Sequence, residues 1–189
     1  IKKDQVKKST IEKYSLDHKK SIVIIALPQL AEHNILSWDE HWKEVNFLLE
    51  SCNKLNKNIL ISLHPKMNRD SYLFLEGKYN CKILEERLAD TLVIADVFIA
   101  TFSSTVIWSV LCGITTLVVD FYGLNYTMYD FLTSIKKIDD KSLFLDTLKN
   151  IFDKDVAFKE DWKKLSKDEV FDGNTAKRYL DLINAVTKN

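Results

Sequence analysis

The sequence predicts an α/β protein: a Rossmann-like, three-layer α/β/α domain built on a parallel sheet of five or six strands. Three observations predict it. Short apolar runs of strand length alternate with segments of helical spacing along most of the chain, as strand–helix–strand crossovers require. The first of those runs, residues 22–27, is continuously apolar, the mark of a strand covered on both faces. The length, 189 residues, suits one domain with one sizeable core.

Each element follows in order. Residues 1–20 carry Lys2, Lys3, Lys7, Lys8, Lys13, Lys19 and Lys20 and read as a basic linker or lead-in helix. Such a segment is either solvated or able to touch an anionic membrane surface. Residues 21–189 form the domain. The run 22–27 is the first strand; it stops at Pro28 and is too short to span a bilayer. A long polar loop, PQLAEHNILSWDEHW, follows. Trp42, Val45, Leu48, Leu49 and Cys52 give residues 38–52 helical spacing. Residues 58–63 are the second strand, 70–77 a short helix, 81–84 the third strand, and 86–94 a helical stretch leading to a strand at Val97–Ala100. A polar turn at 101–104, a helix, a stop at Gly113 and a strand at Thr115–Val119 come next. Residues 126–134 read as a short helix, Ile135–Ile138 as the last strand, and 140–152 and 156–165 as two helices. The final helix starts at the capping sequence Asp172-Gly173-Asn174 and runs through Ala176, Leu180, Ile183 and Val186.

Two strand ends carry chemistry. Ser103 and Ser104 stand at the start of a helix, where unpaired backbone N–H groups and aligned peptide dipoles favour an anion. An ordinary N-cap serine is the competing reading. His64 precedes Pro65 and is therefore extended, at the end of the second strand. Ligands of open parallel sheets bind beyond the carboxyl ends of the strands, so His64 and the serine pair are expected to face one crevice.

His64-Pro65, Ser103-Ser104, Ala95-Asp96 and Gly113 together resemble the nucleotide-binding, carboxyl-terminal half of certain bacterial GT-B enzymes. These are the capsule glycosyltransferases that use CMP-sugars, polysialyltransferases among them, and the CDP-glycerol glycerophosphotransferases. UDP-N-acetylglucosamine 2-epimerase is similar more distantly. The likeness covers roughly residues 20–186, a domain-sized stretch. It departs from the epimerases at Ser103-Ser104-Thr105, where they carry a Ser-Gly-Gly type turn, and from many relatives at Thr115, where they carry proline. The first departure disfavours epimerase chemistry.

The resemblance implies that His64, Ser103, Ser104 and Thr105 contact the donor phosphate. Gln29, Glu32 and His33, in the loop after the first strand, become candidates for the sugar or acceptor, against the alternative of a solvated loop with a helix cap. Leu84 and Glu85 fall where the nucleobase sits, with backbone groups able to read a pyrimidine. Asp120, after the fifth strand, would bind ribose or sugar hydroxyls, or else cap the segment behind it. His64 and Glu32 are the catalytic candidates. The implied function is the donor-binding domain of a glycosyltransferase making a bacterial surface polysaccharide. The alternatives are a UDP-sugar 2-epimerase-like enzyme, with Glu32 and Glu85 as acid and base, or a non-catalytic domain retaining the fold.

Composition excludes other classes. No GxGxxG loop follows the first strand, so this is not a standard NAD domain. No acidic metal site stands at a strand end; metal-independent catalysis without a cofactor is expected, the donor being CMP-, CDP- or UDP-linked. A formal net charge of zero argues against nucleic acid as partner. Cys52, Cys81 and Cys112 form neither a zinc pattern nor a disulfide framework, which fits a cytoplasmic protein, peripheral at the inner face of the membrane if the lysines engage it. No signal peptide is apparent. The chain lacks an initiator methionine, and an amino-terminal domain of the same enzyme is expected before Ile1, completing the cleft for a glycan or glycolipid acceptor.

Overall fold

The computed structural model describes residues 3–132, 134–153 and 173–187. Helix α1 (Lys3–Tyr14) leads into β1 (Ile22–Ala26), α2 (Trp38–Asn53) and β2 (Asn58–Ser62). A 3-10 turn (Arg69–Ser71), α3 (Phe74–Lys78) and β3 (Cys81–Ile83) follow. Then come α4 (Leu88–Thr91), β4 (Val97–Ala100), α5 (Thr105–Leu111), β5 (Thr115–Val119), β6 (Ile135–Ile138), α6 (Lys141–Asp153) and α7 (Thr175–Thr187). The sheet has six strands in the order β3-β2-β1-β4-β5-β6, every pair parallel.

Strand side chains alternate between two cores, as the pleat demands. Val23, Ile25, Ile59, Ile61, Ile99 and Leu117 face α2, α3 and α6 through Leu48, Leu49, Leu75, Phe144 and Leu148. Ile22, Ile24, Leu60, Phe98 and Val118 face α1, α4 and α5 through Tyr14, Leu92, Val106 and Val110. Burial on both faces accounts for the unbroken apolar run read in the sequence at β1. At the sheet edges β3 is only three residues long, and β6 exposes Lys136 and Lys137.

Local chemistry fixes the turns that position the site. Asp96 Oδ2 accepts the Ile22 N–H at 2.7 Å, tying the start of β4 to the start of β1. Ser37 and Glu40 form a reciprocal capping box that starts α2. Gly113 ends α5 at φ +68°, the left-handed conformation in which an added Cβ costs about 1–2 kcal/mol.

Two expectations change. Residues 128–131 are successive turns instead of a helix: the Asp130 and Leu132 N–H groups bond three residues back, to Thr127 and Tyr129, and the segment buries Tyr129 and Leu132. The basic lead-in is helical and docked through Thr10 and Tyr14, not solvated throughout. The expected helix at 156–165 lies outside the described residues. No described helix is long and apolar enough to cross a membrane.

Candidate functional site

The strand order reverses between β1 and β4, and a cavity of about 930 Å³ opens at the carboxyl ends of the strands there. Gln29 and His33 from the loop after β1, His64 from the end of β2, Leu84 and Glu85 from the end of β3, and Ser103, Ser104 and Thr105 from the turn after β4 all line it. The expected convergence of His64 with the serine turn is therefore present.

The donors at this site differ in how far they are already used. His64 is exposed, and its Nδ1 accepts the Lys66 N–H at 3.2 Å. In the neutral ring the proton then sits on Nε2, so the imidazole offers an N–H donor. Met67 holds the turn from below: its N–H donates to the His64 carbonyl at 2.8 Å. Ser103 is partly spent. Its N–H donates to Tyr129 Oη at 3.1 Å, and its hydroxyl pairs with the Thr105 hydroxyl at 2.7 Å while accepting the Thr105 N–H at 3.3 Å. One hydroxyl proton of that pair remains to be given outward. Ser104, the residue before α5, makes no side-chain capping bond and is exposed. The N-cap alternative thus describes Ser103 in part and Ser104 not at all.

The β3 side of the cavity is different. The Leu84 N–H donates to the Ile61 carbonyl at 2.8 Å, and the Glu85 N–H donates to Tyr14 Oη at 2.8 Å. Arg69 donates to the carbonyls of Leu84 and Ile83 at 3.0 and 3.2 Å. The backbone N–H groups of Leu84 and Glu85 are consequently spent within the protein, so of the backbone groups expected to read a pyrimidine there the N–H donors are already engaged. Tyr14 also donates to Glu86 at 2.6 Å, and Lys13 bridges Glu85 at 2.8 Å and Glu86. Bonding to Lys13 holds the Glu85 carboxyl below the usual carboxylate range. The lead-in helix thereby braces one cavity wall, a role no local motif announces. Arg69 was equally invisible, because its partners lie 14 and 15 residues downstream.

Two candidates lie away from the cavity. Glu32 accepts the Tyr72 hydroxyl at 2.8 Å, and that hydroxyl also meets His41 Nε2 at 3.0 Å. Burial lowers the pKa of His41, with Glu32 partly opposing it. Asp120 is buried and accepts the N–H groups of Leu124 and Asn125 at 2.9 and 2.7 Å. Of the two roles open to Asp120, the capping one is observed. Neither carboxylate lines the cavity, whereas Glu85 does, so Glu32 and Glu85, the pair named for the epimerase alternative, are not brought together there. Trp38 stacks on Trp42, and Trp42 in turn packs on Tyr72 and Phe74 at the edge of the core. Among the described residues no group of three or more His, Cys, Asp or Glu is arranged to hold a metal ion.

Known proteins match this chain in two ways. The family model of alpha-2,8-polysialyltransferase matches residues 1–118. Among solved structures, the wall teichoic acid polymerase TagF carrying H548A superposes with a TM-score of 0.62 at 14% identity, covering 99% of this chain and 48% of that one. The spinosyn forosaminyltransferase SpnP superposes with a TM-score of 0.64 at 14% identity, covering 94% and 46%. The spinosyn rhamnosyltransferase SpnG complexed with thymidine diphosphate gives 0.56 at 15%, covering 83% and 43%. At such identities these likenesses speak to the fold, that of a GT-B glycosyltransferase domain. The chain spans about half the length of the solved chains it matches. No curated protein sequence matches it. With more than half of its residues matched by one family model, this GT-B domain belongs to the alpha-2,8-polysialyltransferase family.

Proposed function

We propose that the chain is the donor-binding domain of a nucleotide-sugar-dependent glycosyltransferase that builds a bacterial surface polysaccharide at the cytoplasmic side of the membrane. The observation that carries this reading is the meeting of His64 with Ser103, Ser104 and Thr105 on one cavity at the strand-order reversal. Breaking a sugar–phosphate bond leaves negative charge on the departing nucleotide. Groups already aimed at that charge lower the barrier without reorganising. Here the His64 Nε2–H, the Ser104 hydroxyl and the remaining hydroxyl proton of the Ser103–Thr105 pair are those groups, and they stabilise the leaving phosphate by hydrogen bonds without a metal ion. The donor is a CMP-, CDP- or UDP-linked sugar.

The acceptor, a glycan or glycolipid, and the base that deprotonates it are assigned to a second, amino-terminal domain. Glu32 bonds to Tyr72 and Glu85 to Lys13, so neither is a free base. Taken alone, the domain binds nucleotide without turning over; sugar transfer by it at the rate of a two-domain enzyme would contradict the assignment.

Calorimetry on the Ser103→Ala/Ser104→Ala double variant tests the phosphate seat. Each hydrogen bond to a charged group contributes roughly 1.5–3 kcal/mol, so affinity for the best-binding nucleotide among CMP, CDP and UDP falls at least about tenfold. A serine that only caps α5 costs about 1 kcal/mol of stability and leaves affinity alone. A parent protein that shows no thermal shift with any of the three nucleotides points instead to a non-catalytic domain, since saturation at about 100 times the dissociation constant adds about 2.7 kcal/mol.

A further inference from the structure

Resting on the donor-site reading, we infer that Trp108 is the platform on which the donor's nucleobase stacks. The backbone N–H groups at the β3 end of the cavity are bonded within the protein, Leu84 to Ile61 and Glu85 to Tyr14. A base lying there cannot be held by them. The charged side chains lining that side are engaged within the protein, Arg69 with the Leu84 and Ile83 carbonyls, Glu85 and Glu86 with Lys13, and Arg87 with Asp90; Leu84, Leu88 and Ala89 add apolar surface there.

Trp108 lines the same cavity from α5. It lies four residues after Ser104, hence on the same helix face about 6 Å further along the axis. The phosphate seat and the indole are therefore presented side by side by one short helix. Trp108 is 43% exposed, although the cavity is where a tryptophan gains most by being covered. Trp38 and Trp42 each have aromatic partners; the Trp108 ring has none among the described residues. Every base has a π-face that an indole can cover, and stacking of this kind is indifferent to missing backbone donors. The geometry gives affinity for the nucleoside to Trp108 and affinity for the phosphate to Ser103, Ser104 and His64.

The test separates these two contributions in the 189-residue chain. CMP, CDP and UDP are titrated by calorimetry and by indole fluorescence, and ribose 5-phosphate is measured by competition. Trp108→Ala weakens the best-binding nucleotide by roughly fivefold to a hundredfold, the span of base-stacking aromatics. It leaves ribose 5-phosphate within about twofold and abolishes the fluorescence quench that the parent shows on nucleotide binding. Trp108→Phe retains most of the affinity, because a phenyl face still stacks. Unchanged nucleotide affinity in Trp108→Ala overturns the inference while leaving the phosphate seat intact. An equal loss for nucleotide and ribose 5-phosphate also overturns it, because the tryptophan then merely shapes the cavity. If no nucleotide binds the parent, the donor-site reading falls and the stacking role with it.

Discussion

His64 and Ser104 stand at the carboxyl ends of strands, and so do Glu32 and Asp120, yet only the first pair reaches the cavity with polar groups to spare. Asp120 is followed by a loop whose N–H groups at Leu124 and Asn125 turn back onto its two oxygens. Glu32 meets the Tyr72 hydroxyl brought in from the neighbouring crossover. A carboxylate accepts strongly from any nearby donor, so local donors claim it first. His64 spends one nitrogen on its own turn and keeps the other; Ser104 spends nothing on a cap. Position at a strand end is thus not sufficient to leave a polar group open to the cavity, and freedom from local partners decides among the residues found there.

The contrast predicts that variants divide cleanly between stability and affinity. The largest effect is expected at Asp120. Asp120→Ala strips the charged acceptor from two N–H groups, at roughly 1.5–3 kcal/mol for a bond of this kind, less where water can replace it. Urea unfolding should show about 3 kcal/mol of lost stability, with nucleotide affinity within twofold of the parent. Loss of affinity in a variant that stays folded would break the comparison.

His64→Ala should do the reverse. One bond to the phosphate is removed, so affinity drops roughly tenfold, while an exposed side chain costs less than about 0.5 kcal/mol of stability. Calorimetry and thermal melting on the same sample read both quantities.

The buried His41 sharpens the same contrast by pH. Burial lowers the pKa of His41 below its ordinary 6.5, so the unfolded chain takes up a proton before the folded one. Its contribution is complete above about pH 6.5 and is lost as the pH falls towards the lower folded-state pKa. The slope is at most about 1.4 kcal/mol per pH unit. Urea midpoints at pH 7 and 5.5 should move less in His41→Gln than in the parent. An identical shift in both would assign the acid sensitivity to other groups.

The smallest effect is expected at Glu32→Gln, about 1 kcal/mol of stability with no change in nucleotide affinity. The amide still accepts from Tyr72, but its NH₂ replaces an oxygen that is buried without a partner.

The fold was legible because its signals are periodic and local. Apolar runs of strand length, unbroken in β1 and β4 and interrupted by lysine in β3 and β6, marked the strands, and Val97–Ala100, Thr115–Val119 and Ile135–Ile138 coincide with the observed β4, β5 and β6. The segment 126–134 misled because Tyr129 and Leu132 are spaced like a helix face while serving as plugs in a run of turns. At the cavity, residue types at strand ends were legible, but hydrogen-bond partners were not. Whether Glu32 turns to Tyr72, or Arg69 to Leu84, depends on side chains 40 and 15 residues away. Trp108 carried the one local cue available, its four-residue spacing from Ser104.

The sheet's two margins have a consequence for how this protein meets its neighbours. An outermost strand offers unpaired backbone groups to any extended chain, and natural proteins blunt such margins with brevity or lysine. Here β3 offers only three residues, and β6 presents Lys136 and Lys137 in succession. Strand addition is disfavoured at both, so a protein partner should meet side-chain surfaces and leave the sheet's hydrogen-bonding ends unextended. Replacing both lysines with valine should make the protein aggregate on concentration, a change visible by light scattering.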